Sequence, residues 1–322
     1  MCQSTMNELV SKSEIFTIDA HYYREELAAI HLIRSQDRIS IIDTGTQYSV
    51  SQVQEGLFEL GLGFDSVDYI ILTHIHLDHA GGAGELMNHC KNAQLVVHPR
   101  GAKHMVDPSK LIAGASAVYG EEAFNKLYGE IKPIDGNRVI TPQDGETIEW
   151  ANRPLTFIDT PGHASHHHCI IDHKTNSVFT GDTLGVGYRA LRSDSAVFVM
   201  PTTTPVQFDP DALHHSIDKV MSYQPDTLYL THYSALKPSP TIIAGLHEQI
   251  DDFVMLTQQA ADSEPEDFEK ALEQSITEYI VRRCQNLLPD LDLSTIEKWV
   301  SLDASLNAQG LAFWWQHKRQ AG

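Results

Sequence analysis

The stretch that decides the fold is VDYIILTHIHLDHAGG, residues 67–82. It opens with an apolar run typical of a buried strand and closes on a pair of glycines that indicates a turn. Between them stand three histidines and one aspartate within six residues, His74, His76, Asp78 and His79, in the pattern HxHxDH. In a core, each of these groups would need a buried partner. On a loop at the end of a strand they can instead converge on cations, because zinc and iron accept imidazole and carboxylate ligands.

Three further candidate ligands follow strand-like runs farther along the chain. His163 lies in the sequence TPGH, Asp182 in TGD and His232 in TH. Singly, each is typical of a hydrogen-bonded residue in a core or a turn. Together with HxHxDH they supply five histidines and two aspartates, which is enough for a two-metal site with a bridging carboxylate.

The order of these motifs resembles that of the metallo-β-lactamase-fold hydrolases. A DTG turn at residues 43–45 stands upstream, and HxHxDH, TPGH, TGD and TH follow in the superfamily's order. The resemblance spans roughly residues 14–235 and implies an α/β fold, an αβ/βα four-layer sandwich with the site along one edge. Within the superfamily the glyoxalase II-like dimetal group fits best, because Asp182 is present, the chain is acidic and no flavodoxin-like domain is expected after residue 240. TPGHASHH at residues 160–167 is similar to an uncharacterised TPGHxxHH subgroup.

Carried over by position, the resemblance implies a dinuclear centre that holds two divalent metal ions. It assigns His74, His76 and His163 to one ion, Asp78, His79 and His232 to the other, and Asp182 as the bridge between them. Asp43 would orient a ligand imidazole, or else it is a simple turn carboxylate. Zinc is favoured as the metal, with iron or manganese as alternatives, since sets of His and Asp ligands accept all three.

The function implied by the resemblance is that of a metal-dependent hydrolase. A metal-bridging hydroxide would attack the carbonyl of a small thioester, lactone or ester, and Asp78 would orient that hydroxide or pass its proton to the leaving group. His166, His167 and Tyr188 are candidates to contact the substrate or to support a ligand, with helix capping, solvent exposure or packing as alternatives. Two other functions stay open: a diiron protein for redox chemistry or oxygen handling, and a metal-containing regulatory or binding protein with little turnover.

Composition and charge limit the kinds of binding partner that we expect. The chain has 322 residues, with 23 Lys and Arg against 43 Asp and Glu, so its net charge is −20. Because so acidic a chain repels phosphate backbones and anionic lipids, we expect a small-molecule substrate and neither nucleic acid nor a membrane surface as partner.

The compartment follows from what the sequence lacks. No stretch approaches the roughly 18 apolar residues of a membrane helix, and the N-terminus does not read as a signal peptide. The four cysteines form no CxxC pair and suit a reducing compartment as small buried residues. The cytoplasm is therefore predicted.

The character of the chain changes near residue 240. Short strand-like runs alternate with short helical stretches before Pro238 and Pro240, and only three or four amphipathic helices follow them. The sequence therefore predicts a catalytic domain over residues 1–240 and a helical C-terminal extension over residues 241–322. The extension would cap the site or form a homodimer.

Overall fold

The fold comes from a computed structural model that describes residues 14–203, 206–263 and 266–321. The strands are β1 (Ile15–Asp19), β2 (Ala29–Ser35), β3 (Arg38–Ile42), β4 (Val67–Ile71), β5 (Gln94–Val96), β6 (Val139–Ile140), β7 (Thr147–Trp150), β8 (Arg153–Asp159), β9 (His168–Asp172), β10 (Ser177–Gly181), β11 (Thr227–Leu230) and β12 (Ser234–Leu236). The helices are α1 (Val50–Glu59), α2 (Leu77–Ala80), α3 (Ala83–His89), α4 (Pro99–Val106), α5 (Ser109–Tyr119), α6 (Glu121–Tyr128), α7 (Pro210–Ser222), α8 (Pro240–Ser263), α9 (Phe268–Leu287) and α10 (Leu293–Ala321).

The first sheet has the strand order β1-β2-β3-β4-β5-β6. Its first three strands are antiparallel, and the pairs from β3 to β6 are parallel. Strands β3 and β4 are apolar because their central residues, such as Ile41 and Ile70, are fully buried. Since parallel neighbours end at the same edge of a sheet, the segments after Ile42 and Ile71 leave β3 and β4 side by side.

The second sheet has the order β12-β11-β10-β9-β8-β7 and is also mixed. The pairs β7-β8 and β11-β12 are antiparallel, and β10-β11 is parallel. Strand β10 ends at Gly181, directly before Asp182, and β11 ends two residues before His232. Both candidate ligands therefore follow the carboxyl end of a strand, as the sequence predicts.

By its internal contacts the chain forms two compact units. The first runs up to Ile158 and includes Ile170–Thr175, and the second comprises Asp159–Cys169 and the residues from Asn176 onward. The core of the first unit is aliphatic and includes fully buried Ile30, Leu32 and Leu95. The predicted division near residue 240 rests on a different criterion and stays a prediction.

The C-terminal part of the second unit is helical, as expected. Helix α10 runs unbroken from Leu293 to Ala321, so the described residues form three helices here and not four. The reason is a continuous buried stripe at helical spacing, formed by Val300, Ala304 and Leu311, all with no exposed surface.

Helices α7 and α8 are joined by a reciprocal hydrogen-bonded cluster. His214 and His247 face each other with their Nδ1 atoms 2.6 Å apart. Their Nε2 atoms each lie 3.2 Å from a carboxylate of the opposite helix, that of Asp251 for His214 and that of Asp218 for His247. This cluster therefore ties the first of the C-terminal helices to α7.

The structure contains helical segments that the sequence analysis does not predict. The HxHxDH segment is not wholly a loop, because Leu77–Ala80 forms one helical turn, in which Ala80 donates to the carbonyl of His76 over 2.8 Å. Helices α4 to α7 lie in stretches for which the sequence analysis names no helix.

Among the described residues, no helix combines the length and the apolar character needed to cross a membrane.

The cysteines follow the expectation of small buried residues. Cys90, Cys169 and Cys284 are free and buried. Burial raises the pKa of the thiols to about 12, 11 and 12, respectively, so they are not thiolates near neutral pH. Cys2 lies outside the described residues.

Candidate metal centre

The first group of candidate ligands, here called the HxHxDH cluster, consists of His74, His76, Asp78 and His79. His74 and His79 have no exposed surface. Nε2 of His74 lies 2.8 Å from Nδ1 of His76, and Nε2 of His79 lies 3.7 Å from a carboxylate oxygen of Asp78. The cluster thus brings together one pair of imidazoles and one imidazole beside a carboxylate, within one unit of the chain.

Asp43 holds His79 from behind. Its buried carboxylate accepts hydrogen bonds from Nδ1 of His79 over 2.8 Å and from the backbone N–H of Thr73 over 2.8 Å. The Thr73 hydroxyl donates to the same carboxylate. Because Nδ1 carries the proton in this arrangement, Nε2 of a neutral His79 is left as the nitrogen that can bind a metal. The geometry is that expected of a residue that orients a ligand imidazole.

The backbone explains why Asp43 and His79 meet. The turn after β3 packs on the turn of α2, with the N–H of Thr44 donating to the carbonyl of His79 over 2.7 Å and that of Gly82 to the carbonyl of Gly45 over 3.0 Å. A Cβ atom on Gly82 would lie 2.6 Å from the carbonyl oxygen of Thr46. This close approach requires glycine and accounts for the GG pair that closes the motif.

The second group, here called the Asp182 cluster, consists of His163, Asp182 and His232. The two carboxylate oxygens of Asp182 face different imidazoles. Oδ2 lies 3.4 Å from Nε2 of His163, and Oδ1 lies 3.6 Å from Nε2 of His232. The Asp182 side chain is only 6% exposed. A carboxylate placed between two imidazoles in this way has the geometry to bridge two cations.

His163 is fixed by the segment that precedes α7. Its Nδ1 lies 3.2 Å from the carbonyl oxygen of Thr202, to which it donates. The TPGH turn itself is seated on α7: Gly162 has a φ of +128°, and a Cβ there would lie 2.4 Å from the backbone of Leu213. Ser216 of α7 also donates to the carbonyl of Pro161. The glycine is needed at this turn for both its conformation and its packing.

His167 is buried beneath the Asp182 cluster. Its Nε2 accepts the backbone N–H of Asp182 over 3.1 Å. Its Nδ1 lies 2.8 Å from the hydroxyl of Thr160 and 3.2 Å from that of Thr183. The imidazole therefore joins the TPGH turn to the TGD turn, and its accepting Nε2 defines the tautomer with the proton on Nδ1.

Tyr188 and His166 are the remaining predicted site residues. Tyr188 is 1% exposed, and its hydroxyl donates to the Asp303 carboxylate of α10 over 3.0 Å. Its ring packs against Trp299, with the ring centroids 5.1 Å apart. His166 is 8% exposed. A role of either in substrate contact stays a prediction.

Two residues that support the Asp182 cluster are not predicted from the sequence. Thr202 acts through its backbone carbonyl, and Asn307 of α10 acts on the segment beside it. Neither stands in a metal-ligand motif, and a polar residue on a long helix normally lies on its solvated face. The signal that separates Asn307 is its burial, since it is 1% exposed.

The donor chemistry of both clusters fits divalent cations. Imidazole nitrogens and carboxylate oxygens are the ligands of zinc, iron and manganese sites. In His79 and His163, Nδ1 is hydrogen-bonded to a protein acceptor, which leaves Nε2 to face a metal. The described structure contains no feature that selects one of these metals.

Known proteins resemble this chain in sequence and in fold. Residues 23–232 match the sequence model of the Metallo-beta-lactamase superfamily. The metallo-beta-lactamase fold-containing protein ST1585 of Sulfurisphaera tokodaii is 27% identical over 217 residues, 66% of this chain and 75% of that protein. The crystal structure of the archaeal protein ST1585 superposes with a TM-score of 0.58 at 26% identity, over 74% of this chain and 86% of that chain.

Two enzymes are similar at greater distance. A hydroxyacylglutathione hydrolase of Aeromonas salmonicida is 28% identical over 63% of this chain, and the match spans 60% of that enzyme. The acyl-coenzyme A thioesterase MBLAC2 of Bos taurus is 24% identical over 53% of this chain, and the match spans 63% of that enzyme. The chain thus spans less than two thirds of the length of both enzymes.

These findings settle the fold class. The two mixed sheets, the helices that flank them and the C-terminal helices confirm the predicted α/β four-layer class. The superfamily match together with the His and Asp donors of each cluster indicates a dimetal site. The match covers well over half of the chain and includes the DTG, HxHxDH, TPGH, TGD and TH motifs. The chain belongs to the metallo-beta-lactamase superfamily.

Proposed function

We propose that this chain is a dimetal hydrolase of the glyoxalase II-like group that cleaves a small thioester, ester or lactone at its carbonyl carbon. The observation that carries the proposal is the Asp182 carboxylate, whose two oxygens face His163 and His232 separately. A structural carboxylate has no need of two imidazole neighbours, whereas a bridge between two cations does. The similarity to a hydroxyacylglutathione hydrolase and to an acyl-coenzyme A thioesterase supports a thioester as the first substrate class to test.

The proposed ligands are the seven residues of the two clusters. One cation would be held by His74, His76 and His163, the other by Asp78, His79 and His232, with Asp182 between them. The support for this assignment is the superfamily membership, the order of the motifs and the ligand chemistry of the side chains. Zinc is the proposed metal, with iron or manganese as alternatives.

When bound, a pair of divalent cations supplies Lewis acidity, which polarises a carbonyl and acidifies water so that hydroxide is available near neutral pH. The chain's own residues then have separate tasks. Asp43 keeps the His79 proton on Nδ1, and Thr202 does the same for His163, so that both imidazoles offer Nε2. Asp78 is 23% exposed, in contrast to the buried His79, and is therefore the carboxylate of the HxHxDH cluster placed to accept a proton or to orient water.

The charge of the chain favours small substrates over polyanions. A net charge of −20 opposes the approach of nucleic acid or an anionic membrane surface. The C-terminal helices α8, α9 and α10 would cap the site or form a homodimer.

The test begins with metal content. The chain is purified without added metal, and its bound metals are measured by mass spectrometry beside the variants His76→Ala and Asp182→Asn. His215→Ala serves as the matched control, because His215 is an exposed histidine of α7 that belongs to neither cluster. We expect about two metals per wild-type and control chain and a loss of metal in the two cluster variants.

The second step is a panel of thioesters, esters and lactones assayed with the metal-loaded protein. Hydrolysis that disappears in Asp182→Asn and persists in His215→Ala supports the proposal. A folded protein that binds no metal and cannot be reconstituted would contradict it. Bound metal without hydrolysis across the panel would favour a regulatory or binding protein, and bound iron with an oxygen-dependent spectrum would favour a diiron redox protein.

A further inference from the structure

The segment of residues 201–203 lies between the C-terminal helix α10 and the TPGH turn. Thr202 and Thr203 are buried, with 7% and 0% of their surface exposed. The carbonyl of Thr202 accepts the hydrogen bond from Nδ1 of His163. This carbonyl therefore helps to orient the His163 ring and favours the tautomer with the proton on Nδ1.

Asn307 holds both neighbours of Thr202. Its Oδ1 accepts the backbone N–H of Thr203 over 2.7 Å, and its Nδ2 donates to the carbonyl of Pro201 over 3.1 Å. The hydroxyl of Thr203 donates to the backbone carbonyl of Asn307 over 3.0 Å. The side-chain amide of Asn307 thus pairs with the segment as a backbone peptide group of a neighbouring strand would.

This pairing controls the carbonyl of Thr202 by alternation. In an extended segment the carbonyl of one residue and the N–H of the residue two positions later point to the same side, and the carbonyl of the residue between them points to the other. Pro201 and Thr203 satisfy this pattern on the Asn307 side. The carbonyl of Thr202 is accordingly directed to the opposite side, where it meets His163.

We propose that Asn307 is a positioning residue for the metal ligand His163, acting through the carbonyl of Thr202, so that helix α10 sets the affinity of the metal that His163 binds. The proposal rests on the proposed role of His163 as a ligand. It gives the helical extension a task in the chemistry of the second unit. The Thr203 hydroxyl also lies 3.1 Å from Oδ1 of Asn307, so among the described residues the hydrogen bonds of this side chain go to Pro201 and Thr203.

The residue type fits this task. Alanine at position 307 would leave a buried N–H and a buried carbonyl without partners and free the segment to shift. Aspartate has the same shape but cannot donate to the carbonyl of Pro201, so it keeps one of the two backbone contacts. Because its buried carboxylate would also face the carbonyl oxygen of Pro201, we expect Asn307→Asp to disturb the segment in the same direction as Asn307→Ala, with an effect at least as large.

Gln249 offers a matched control. It is a buried amide of helix α8, 2% exposed, and its Nε2 donates to the carbonyl of Val199 over 2.9 Å. It therefore anchors the same stretch of chain to a C-terminal helix without holding a neighbour of Thr202. Replacement by alanine removes a comparable buried contact and leaves the Thr202 carbonyl in place.

The first experiment measures metal affinity on the full chain. Zn²⁺ is titrated against a chromophoric chelator for the wild type, Asn307→Ala, Asn307→Asp and Gln249→Ala, and thermal unfolding of the metal-free forms gives their stability. We expect Asn307→Ala to weaken one bound Zn²⁺ by about 10- to 100-fold. Gln249→Ala should lose comparable thermal stability and keep both affinities. Equal losses of affinity in Asn307→Ala and Gln249→Ala, or wild-type affinity in a folded Asn307→Ala, would overturn the proposal.

The second experiment does not depend on metal. Long-range ¹⁵N–¹H spectra of histidine-labelled metal-free protein report which nitrogen of the neutral His163 ring carries the proton. We expect Nδ1–H in the wild type and in Gln249→Ala, and a mixture of tautomers in Asn307→Asp. An Nε2–H tautomer in the wild type, or an unchanged tautomer in Asn307→Asp, would refute the positioning role. A wild type that binds none of Zn²⁺, Fe²⁺ and Mn²⁺ would refute the proposed function, and these spectra would still decide whether Asn307 positions the His163 ring.

Discussion

The HxHxDH cluster and the Asp182 cluster contain the same kinds of side chain but are built in different ways. The first takes its four residues from six consecutive positions at the end of β4, where one short helical turn spaces them. The second takes one residue from each of three turns, at positions 163, 182 and 232. Its geometry therefore depends on contacts between distant segments, through His167, Thr202 and Asn307. A local motif can be recognised from its spacing, whereas an assembled cluster can be damaged from far away in the sequence.

The largest expected effect comes from the centre of the assembled cluster. Asp182→Asn retains the shape of the side chain and removes the charge that would balance two cations. We expect hydrolysis to fall by about 10³-fold or more and the metal content to fall with it. Steady-state kinetics beside metal analysis measure both quantities. Asp218→Asn is the control, because that carboxylate is 72% exposed on α7, belongs to neither cluster and pairs with His247. Full activity in Asp182→Asn would show that the assembled cluster is not the seat of the reaction.

Removal of metal by a chelator should distinguish the two clusters next. A ligand held at 100 times its dissociation constant stabilises the fold by about 2.7 kcal/mol, so chelation should lower the unfolding temperature. We expect hydrogen exchange to rise more around residues 160–163 and 182–183 than around residues 74–82. The reason is that the Asp182 side chain is 6% exposed and would lose its counter-ions in a buried place, whereas Asp78 is 23% exposed and remains solvated. A larger rise at residues 74–82 would reverse the comparison.

A local cluster still needs one long-range support, and Asp43 supplies it. Three groups donate to this carboxylate: the N–H and the hydroxyl of Thr73 and Nδ1 of His79. In Asp43→Asn the amide could donate to His79 only by moving the imidazole proton to Nε2, the nitrogen needed for metal. We therefore expect metal affinity to fall by about 10- to 100-fold, measured by chelator competition. Asp37→Asn, at an aspartate that is 89% exposed, should leave the affinity unchanged. The same loss in both variants would deny Asp43 this role.

The sequence predicts local features, such as motifs and strand ends, better than contacts between distant segments. The strand ends before Asp43, Asp182 and His232 are predicted because apolar runs give way to turn residues there, and the structure confirms them. Helices α4 and α6 were not predicted, because each has only two buried positions and so presents no clear apolar stripe. Asn307 could not be predicted either, since it acts on a backbone carbonyl and a residue type carries no information about a contact of that kind. The order of motifs identifies the superfamily, while the supports of the assembled cluster become visible only in three dimensions.

The smallest expected effect concerns an ion pair on α3, the helix that follows the HxHxDH cluster in the chain. Glu85 of α3 forms an ion pair with Lys132, and the hydrogen bond from Lys132 holds the pKa of the carboxyl below its usual value of 4.5. A lowered pKa stabilises the folded state above the ordinary pKa of glutamate, and this stabilisation is lost as the pH falls through the lowered value. Glu85→Gln should therefore cost up to about 1 kcal/mol at pH 7, measured by urea unfolding, and less at pH 3.

Glu130→Gln sharpens this last comparison, because Glu130 lies 3.8 Å from the same Lys132 but is 71% exposed. We expect that variant to unfold like the wild type at both pH values, since solvent screens an exposed pair. The segment of residues 201–203 is held by amide, hydroxyl and carbonyl groups, which do not titrate in this range. Once the intrinsic exchange rate is corrected for pH, the protection of its amides should therefore stay constant where that of α3 changes. If the cost of Glu85→Gln is as large at pH 3 as at pH 7, the glutamate stabilises α3 through packing and not through its charge.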